Sequence, residues 1–398
     1  MRKHTGLLAL GCLVLVPTLI WTPGLEHGNA GDIGAISTPE PTASPGSRPS
    51  PSDPSPEPPP PPQTHTVTLA LTGDVLIHNT VWEAADRAAP GHAMDFRPML
   101  APLRPALSAA DLALCHLETP LAARGGPYQS YPLFAAPPAV LPALRWTGYD
   151  ACSTASNHSV DQGFAGVTRT LDLLDAAGLP HVGTARTRAE SKKIVTFEVN
   201  GIRIAWLSAT YGTNGMPVDA DKPWSVRLID VDAIKQEARR ARAGGADAVI
   251  VALHWGDEYA HAPSAFQVDV AHRLTRSKDI TLIYGHHAHV VQPIRKVNGT
   301  WVIYGLGNLV AGQRNTAPGV NDGLIAQVRL SRTGTGPVQV SRPGYRPTYI
   351  DEQATSPEVN GGFVVYDIRR ALRDPNLDAG TRAELRASLA RTRSVMDQ

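Results

Sequence analysis

The sequence predicts an α/β fold built from two sheets packed face to face. The apolar runs VTLAL, DLAL, YDAC, AVIVAL and ITLIY have the continuity of buried parallel strands. Helical patterns separate most of them, as βαβ units require. Two Asn-Gly pairs, Asn200-Gly201 and Asn298-Gly299, sit between strand patterns and mark hairpins with type I′ turns.

Along the chain, the folded part begins near Thr66, and TVTLALTGD forms a strand ending at Asp74. Helical stretches follow over residues 79–90 and 98–110. LALCHLE is the second strand, and the Pro- and Ala-rich stretch 127–147 reads as a loop with one helix. YDACSTASNH supplies the third strand. A helix over residues 164–177 carries Leu171, Leu173 and Leu174 and is closed by Gly178. IVTFEV and RIAWLSAT flank the first hairpin turn. A charged surface helix spans residues 231–243. AVIVALHW, a helix over 264–276 and DITLIYG complete a further βαβ unit, and KVNGTWVIYGLGN repeats the hairpin pattern. Beyond Gly312 the pattern turns to strands, DGLIAQVRLS and GFVVYDI, and an amphipathic helix over residues 379–396 closes the chain. No repeat at a solenoid period is present.

The chain has 398 residues, is 42% hydrophobic and carries a net charge of +1, which suits one large domain or two smaller ones. It has no basic stripe with interleaved aromatics, no Walker A loop and no GxGxxG after a strand, so no nucleic-acid partner is expected. Three cysteines, Cys12, Cys115 and Cys152, exclude a disulfide scaffold. Cys115 and Cys152 fall on strands two and three and read as buried thiols, with a disulfide as the alternative.

Arg2, Lys3 and His4 precede an apolar run over residues 6–21, the pattern of an export signal. Cleavage after Ala30, with Gly28 and Ala30 as the small residues, is one outcome. Retention as a membrane anchor is the other, and lipid attachment at Cys12 is a third. Residues 39–62 hold 12 prolines in 24 positions and form a stiff polyproline II spacer. A spacer is most useful on an anchored domain, so retention is the favoured reading. The organisation is then signal or anchor over 1–30, a Pro/Ser-rich disordered linker over 31–65, a globular domain over 66–350 and a C-terminal extension over 351–398. The expected location is extracytoplasmic, anchored to the cytoplasmic membrane or else secreted.

Ligands of open α/β sheets bind beyond the carboxyl ends of the strands. Here those ends carry Asp74, Glu118, Asn157 with His158, His254, and the cluster His286-His287-Ala288-His289. Each has a plain alternative. Asp74 reads equally as a helix cap, Glu118 as an exposed turn acid before Pro120, Asn157 as a cap of the next helix, and His254 as a satisfied core histidine. Gathered on one rim, carboxylates, an amide and imidazoles are the donor set of a metal site.

GDV, HLETP, SNHSVDQG, HWGDEY, GHHAHVVQP and YGLGN occur in this order over roughly residues 66–350. Together they resemble the capsule-synthesis CapA family, also called PGA_cap or poly-γ-glutamate synthesis family, which is similar to the calcineurin-like metallophosphoesterases. The resemblance implies a four-layer α/β/β/α sandwich of the metallo-dependent phosphatase type and two divalent metal ions, Mn, Fe or Zn. It implies Asp74, Glu118, Asn157, His254, His287 and His289 as metal ligands and His158 as the catalytic residue at the leaving group. His116, Asp161, Glu258, Tyr259, His286, Gln292 and Asn308 fall on matching positions that face substrate or support the ligands. The chain departs from the family in three places. His116 replaces an Asn, Ser156-Asn157-His158 replaces Asn-Asn-His, and Leu76 stands where the wider DxH motif has its histidine, which makes His116 a candidate for the missing imidazole. The implied function is an extracytoplasmic protein of poly-γ-glutamate or capsule synthesis with a two-metal, phosphoesterase-like hydrolase site. Its substrate would be a phosphoester or an anionic polymer, with γ-glutamyl amide cleavage as a variant. The alternative is a non-catalytic, membrane-tethered accessory subunit of a polymer synthetase complex.

Overall fold

Residues 62–91, 93–313, 317–354 and 362–398 are described in a computed structural model. The expected signal or anchor, nearly all of the linker, and Cys12 lie outside the described residues. Strands run in chain order as β1 (Thr64–Leu76), β2 (Leu112–Leu117), β3 (Ala151–Ser153), β4 (His181–Val182), β5 (Val195–Val199), β6 (Ile202–Thr210), β7 (Ala248–Trp255) and β8 (Leu282–His287). They continue as β9 (Ile294–Val297), β10 (Thr300–Ile303), β11 (Asn308–Ala311), β12 (Asp322–Thr333), β13 (Gln339–Val340), β14 (Gly344–Asp351) and β15 (Val364–Asp367). The helices are α1 (Asn79–Arg87), α2 (Arg97–Leu100), α3 (Arg104–Leu107), α4 (Val140–Thr147), α5 (Gly163–Ala176), α6 (Arg188–Ser191), α7 (Val231–Ala243), α8 (Ala265–Thr275), α9 (Ile368–Ala371) and α10 (Ala379–Met396). Among the described residues, no helix is long and apolar enough to cross a membrane.

The strands form two sheets. The first has the order β15-β14-β12-β1-β2-β3-β4, with β11 beside β1 and β13 beside β12; the second has the order β5-β6-β7-β8-β10-β9. Side-chain alternation sets the layers. On β2, Leu112 and Leu114 join Val67, Leu69 and Leu71 of β1 in a core shared with Ile204, Ile250 and Leu282 of the second sheet. Ala113 and Cys115 face the other way, onto α1, α4 and α5. On β7, Ala248, Ile250 and Ala252 face the shared core, while Val249, Val251 and Leu253 pack against α7 and α8. The result is the expected α/β/β/α sandwich.

Local chemistry explains the elements. α7 buries Val231, Ile234, Ala238 and Ala241, one face of a helix, and Asp230 caps it by accepting from the backbone of Asp232 and Ala233. α5 ends as expected: Gly178 has φ 66°, with Gly178 N–H on Asp175 O and Leu179 N–H on Leu174 O, the Schellman pattern. Asn200 and Asn298 both have positive φ, followed by positive-φ Gly201 and Gly299, so both hairpins carry the type I′ geometry. The helix expected over 98–110 is instead two short helices joined by a 3-10 turn, each of the three with a proline in its first two positions. Proline starts a turn but cannot continue one from inside. The C-terminal extension packs onto the first sheet: β15 pairs with β14, and Arg391 of α10 holds both oxygens of Asp322 at 2.8 Å.

The thiol reading of the cysteines is corrected. Cys115 and Cys152 lie directly opposite each other on β2 and β3 and are joined by a disulfide. Parallel neighbours in register bring the two Cα atoms to 4.5 Å, within bridging range. The bond closes a loop with a sequence separation of 37, so its reduction is expected to lower stability by about 3–4 kcal/mol. A thiol count in denaturant checks this. Cys115 and Cys152 should stay unreactive until reductant is added, and two reactive thiols without it would restore the first reading.

Candidate metal centre

The site lies where the carboxyl ends of the two sheets meet. The alternation that puts Leu112 and Leu114 in the shared core carries His116 and Glu118 to the same side, and that of Ile250 and Ala252 does so for His254. Asp74 pairs in register with His116 of β2 and with Asn308 of β11. The register then shifts beside Asp74, an irregularity that re-aims side chains. Gly73 makes the packing possible, since a Cβ there would stand 1.8 Å from Gly307 O. In the second sheet His254 pairs with His286, and Trp255 with His287.

Asp74 ties the sheets together. Its Oδ1 is 3.0 Å from His286 Nδ1, and its Oδ2 accepts the His287 N–H at 3.1 Å and lies 3.2 Å from His289 Nδ1. His116 Nε2 is 3.0 Å from His254 Nδ1, His116 Nδ1 is 2.8 Å from Ser153 Oγ, and the ring stacks on His286 at 4.1 Å. His254 Nε2 is 2.8 Å from Asn157 Oδ1, whose Nδ2 donates to Asn214 Oδ1 at 3.2 Å. Asn308 Oδ1 is 3.0 Å from His289 Nδ1. The plain alternatives fall away for the acids and the amide. The N-cap of α1 is His78, not Asp74. The N-cap of α5 is Gln162, not Asn157. Glu118 is 1% exposed.

Several polar atoms here lack a partner. Both Glu118 oxygens, His286 Nε2 and His287 Nδ1 are buried without a hydrogen bond, although a buried carboxylate normally requires pairing or a metal. Glu118 Oε1 stands 3.8 Å from both His254 Nε2 and His289 Nε2, too far to bond either. Two buried groups, Asp74 with His116 and His286, and Glu118 with His287 and His289, bring their ligand atoms within 4.8 Å of one another. Carboxylate oxygens and imidazole nitrogens at this spacing fit a divalent metal. The structure places His116, the candidate for the missing imidazole, and His286, expected to face substrate or support the ligands, both beside Asp74.

The buried charges of the site oppose one another. Burial pushes the Glu118 carboxyl well above its usual range. Burial pushes His116 and His254 well below theirs, and His287 down to about 3. Burial also opposes the charged form of Asp74, but hydrogen bonds with His286 and His289 outweigh it and hold the carboxyl low. His289 is raised to about 9: burial opposes its charge, and the Glu118 and Asp74 carboxylates overcome that. A cation among them would offset the buried carboxylate charge while the imidazoles stay neutral. The backbone is strained at the same place, with φ 89° at His287, 55° at His289 and 63° at Tyr259, conformations that cluster at functional sites.

His158 sits at the edge. Its Nδ1 is 2.7 Å from Asp161 Oδ2, which also accepts the Phe134 N–H at 2.8 Å. A carboxylate at Nδ1 fixes the proton there and leaves Nε2 for other chemistry. His158 lines a cavity of about 500 Å³ together with His78, Ser130, Glu258, Tyr259 and His289. Gln292 stands elsewhere: its Nε2 donates to Ala260 O at 2.8 Å and its Oε1 accepts from Gln267 at 2.7 Å, a brace for the loop that carries Tyr259. A larger cavity, about 920 Å³ around β4 and α6, contains none of these residues.

Sequence reasoning missed Tyr211, Asn214 and His78. The Tyr211 ring lies 4.5 Å from that of His287, and its hydroxyl meets Asn214 Oδ1 at 3.1 Å. Tyr211 directly follows β6, so the strand-end rule that found the histidines would have found it.

Residues 68–313, more than half of the chain, match the family model described as "Bacterial capsule synthesis protein PGA_cap". The PGA biosynthesis protein CapA of Bacillus subtilis (strain 168) is 32% identical over 216 residues, 54% of this chain and 54% of that protein. The capsule biosynthesis protein CapA of Bacillus anthracis is 31% identical over 201 residues, 50% of this chain and 48% of that protein. The chain thus spans about half the length of these curated relatives. Among solved structures, the calcineurin-like phosphoesterase YfkN from Bacillus subtilis aligns with a TM-score of 0.47 at 14% identity, covering 82% of this chain and 99% of that one.

Proposed function

The chain belongs to the bacterial capsule synthesis PGA_cap family, and from that premise we propose that it is an extracytoplasmic, metal-dependent hydrolase of the phosphoesterase type. The observation that carries the reading is the Glu118 carboxylate, buried without a donor among imidazoles and next to a cavity lined by His158. Two divalent ions, Mn, Fe or Zn, are proposed. Asp74, His116 and His286 would hold one, and Glu118, His287 and His289 the other, with Asn157 and His254 alongside. Bound there, the ions would polarise a phosphoryl oxygen and acidify a water.

The chain's own residues supply the rest. Asp161 holds the Nδ1 proton of His158, so the acid proton is delivered from Nε2. In its imidazolium form His158 gives that proton to the leaving oxygen, and Asp161 stabilises the charged ring until then. Phe134 packs edge-on to the His158 ring at 4.8 Å and limits its rotation. Tyr211 and Asn214 orient Asn157 through its amide.

The Cys115–Cys152 disulfide supports an oxidising compartment, and residues 1–30 read as the export signal and membrane anchor. The relatives' names, PGA biosynthesis and capsule biosynthesis, support a place beside a membrane-bound polymer synthetase, with a phosphoester or the anionic polymer as substrate. The test is hydrolysis by protein reconstituted with Mn, Fe or Zn, offered a phosphomonoester, a phosphodiester and a γ-glutamyl amide. Phosphoester cleavage that a chelator abolishes is expected. Cleavage of the amide alone would change the substrate class. No cleavage by metal-loaded protein would leave a tethered accessory subunit.

A further inference from the structure

His78 was not singled out by any motif, yet it lines the same cavity as His158. It follows β1 four positions after Asp74 and is 8% exposed. The Gly312 N–H donates to its Nδ1 at 3.2 Å. Leu76 O lies equally near that nitrogen, at 3.2 Å, but it is satisfied by the His78 backbone N–H at 3.1 Å, whereas the Gly312 N–H can only donate and needs Nδ1 as its acceptor. With Nδ1 accepting from Gly312, the ring proton sits on Nε2. Among the described residues no hydrogen-bond partner meets Nε2, which leaves this N–H of a cavity-lining ring free to donate.

The ring is held in place. Phe134 stands edge-on between the two imidazoles, 5.1 Å from His78 and 4.8 Å from His158. Burial pushes the His78 imidazole down to about 4, so at neutral pH it offers a donor without a charge. Ser130 adds a second neutral donor, because its Oγ accepts the Asn79 N–H at 3.1 Å and keeps its own proton to give. Among the described residues the cavity wall contains no Lys or Arg. His78 and Ser130 therefore add neutral N–H and O–H donors to that wall.

We propose that His78 is a substrate-binding residue, donating its Nε2–H to a phosphoryl oxygen of the ester held between His158 and the metal-ligating residues. This rests on the hydrolase reading of that site and adds to it a neutral group that binds the substrate.

The test uses the full chain loaded with metal and inorganic phosphate as the probe. Phosphate affinity is read by calorimetry, the His78 Nε2–H by its 15N-coupled proton signal, and metal content by elemental analysis. His78→Ala should bind phosphate about tenfold more weakly, the worth of one hydrogen bond to a charged acceptor, at unchanged metal content. His78→Gln, which restores an N–H near the same place, should recover most of the loss. In the wild type the Nε2–H signal should shift on phosphate addition. In a phosphoester assay, the alanine variant should raise KM more than it lowers kcat. Wild-type phosphate affinity in His78→Ala, or an Nε2–H signal indifferent to phosphate, overturns the role of His78 alone. Loss of metal in both variants makes His78 a structural support and also overturns it. A metal-loaded wild type that neither binds phosphate nor cleaves a phosphoester overturns the hydrolase reading and this inference together.

Discussion

Replacing His158 with alanine is expected to lower phosphoester turnover by about 10²–10⁴-fold, the range for one positioned proton donor, with metal content unchanged. Both halves follow from position. His158 bonds Asp161 through Nδ1 and belongs to neither group of potential ligands. Its removal therefore takes away a proton donor, not a metal ligand. The fold should survive, because the ring sits at a cavity wall and Asp161 keeps its bond from the Phe134 N–H. The loss should be least for a substrate whose leaving group is acidic enough to depart without protonation. Turnover and elemental analysis on one preparation check the claim. Unchanged turnover, or loss of metal, would refute the acid role.

The double variant His287→Ala/His289→Ala should lose metal and, with it, turnover down to the background rate. The substitutions remove both imidazoles grouped with Glu118. Glu118 would then face no imidazole of its own group, and its carboxyl would hold a proton instead of a cation. The Asp74 group also suffers, since His289 is one of the contacts that keep the Asp74 carboxyl ionised. Metal bound tightly enough to survive purification should therefore fall from both groups. The strain at these positions adds a further check. Alanine at φ 89° and 55° has no metal to hold it there, so the loop after β8 should exchange its amide protons faster than in the wild type.

Much of this site was legible because a metal centre at the end of a sheet uses the most regular signal a sequence has. Each candidate ligand follows an apolar run, and alternation along β2 and β7 fixes which side His116 and His254 face. What alternation cannot give is which strands are neighbours. The pairing of Asp74 with both His116 and Asn308 exists only once β1 lies between β2 and β11. That is also why the cysteines were misread: Cys115 and Cys152 are 37 residues apart in sequence and directly opposite in the sheet. β14 escaped notice because it contains Pro347 and buries only part of its length, which weakens the alternating pattern. Gln292 shows where the motif alone leaves a role open. A buried amide in a histidine-rich motif looks like site chemistry, but it serves to brace the loop beside it. His78 was invisible for a third reason, because its tautomer is set by the Gly312 N–H, 234 positions away.

The most direct test of the metal centre is elemental analysis of the purified protein beside His287→Ala/His289→Ala. The account predicts about two transition-metal ions per chain in the wild type, the count of a two-metal hydrolase, and their loss in the variant. A folded wild type that holds no metal, even after reconstitution with Mn, Fe and Zn, would contradict it.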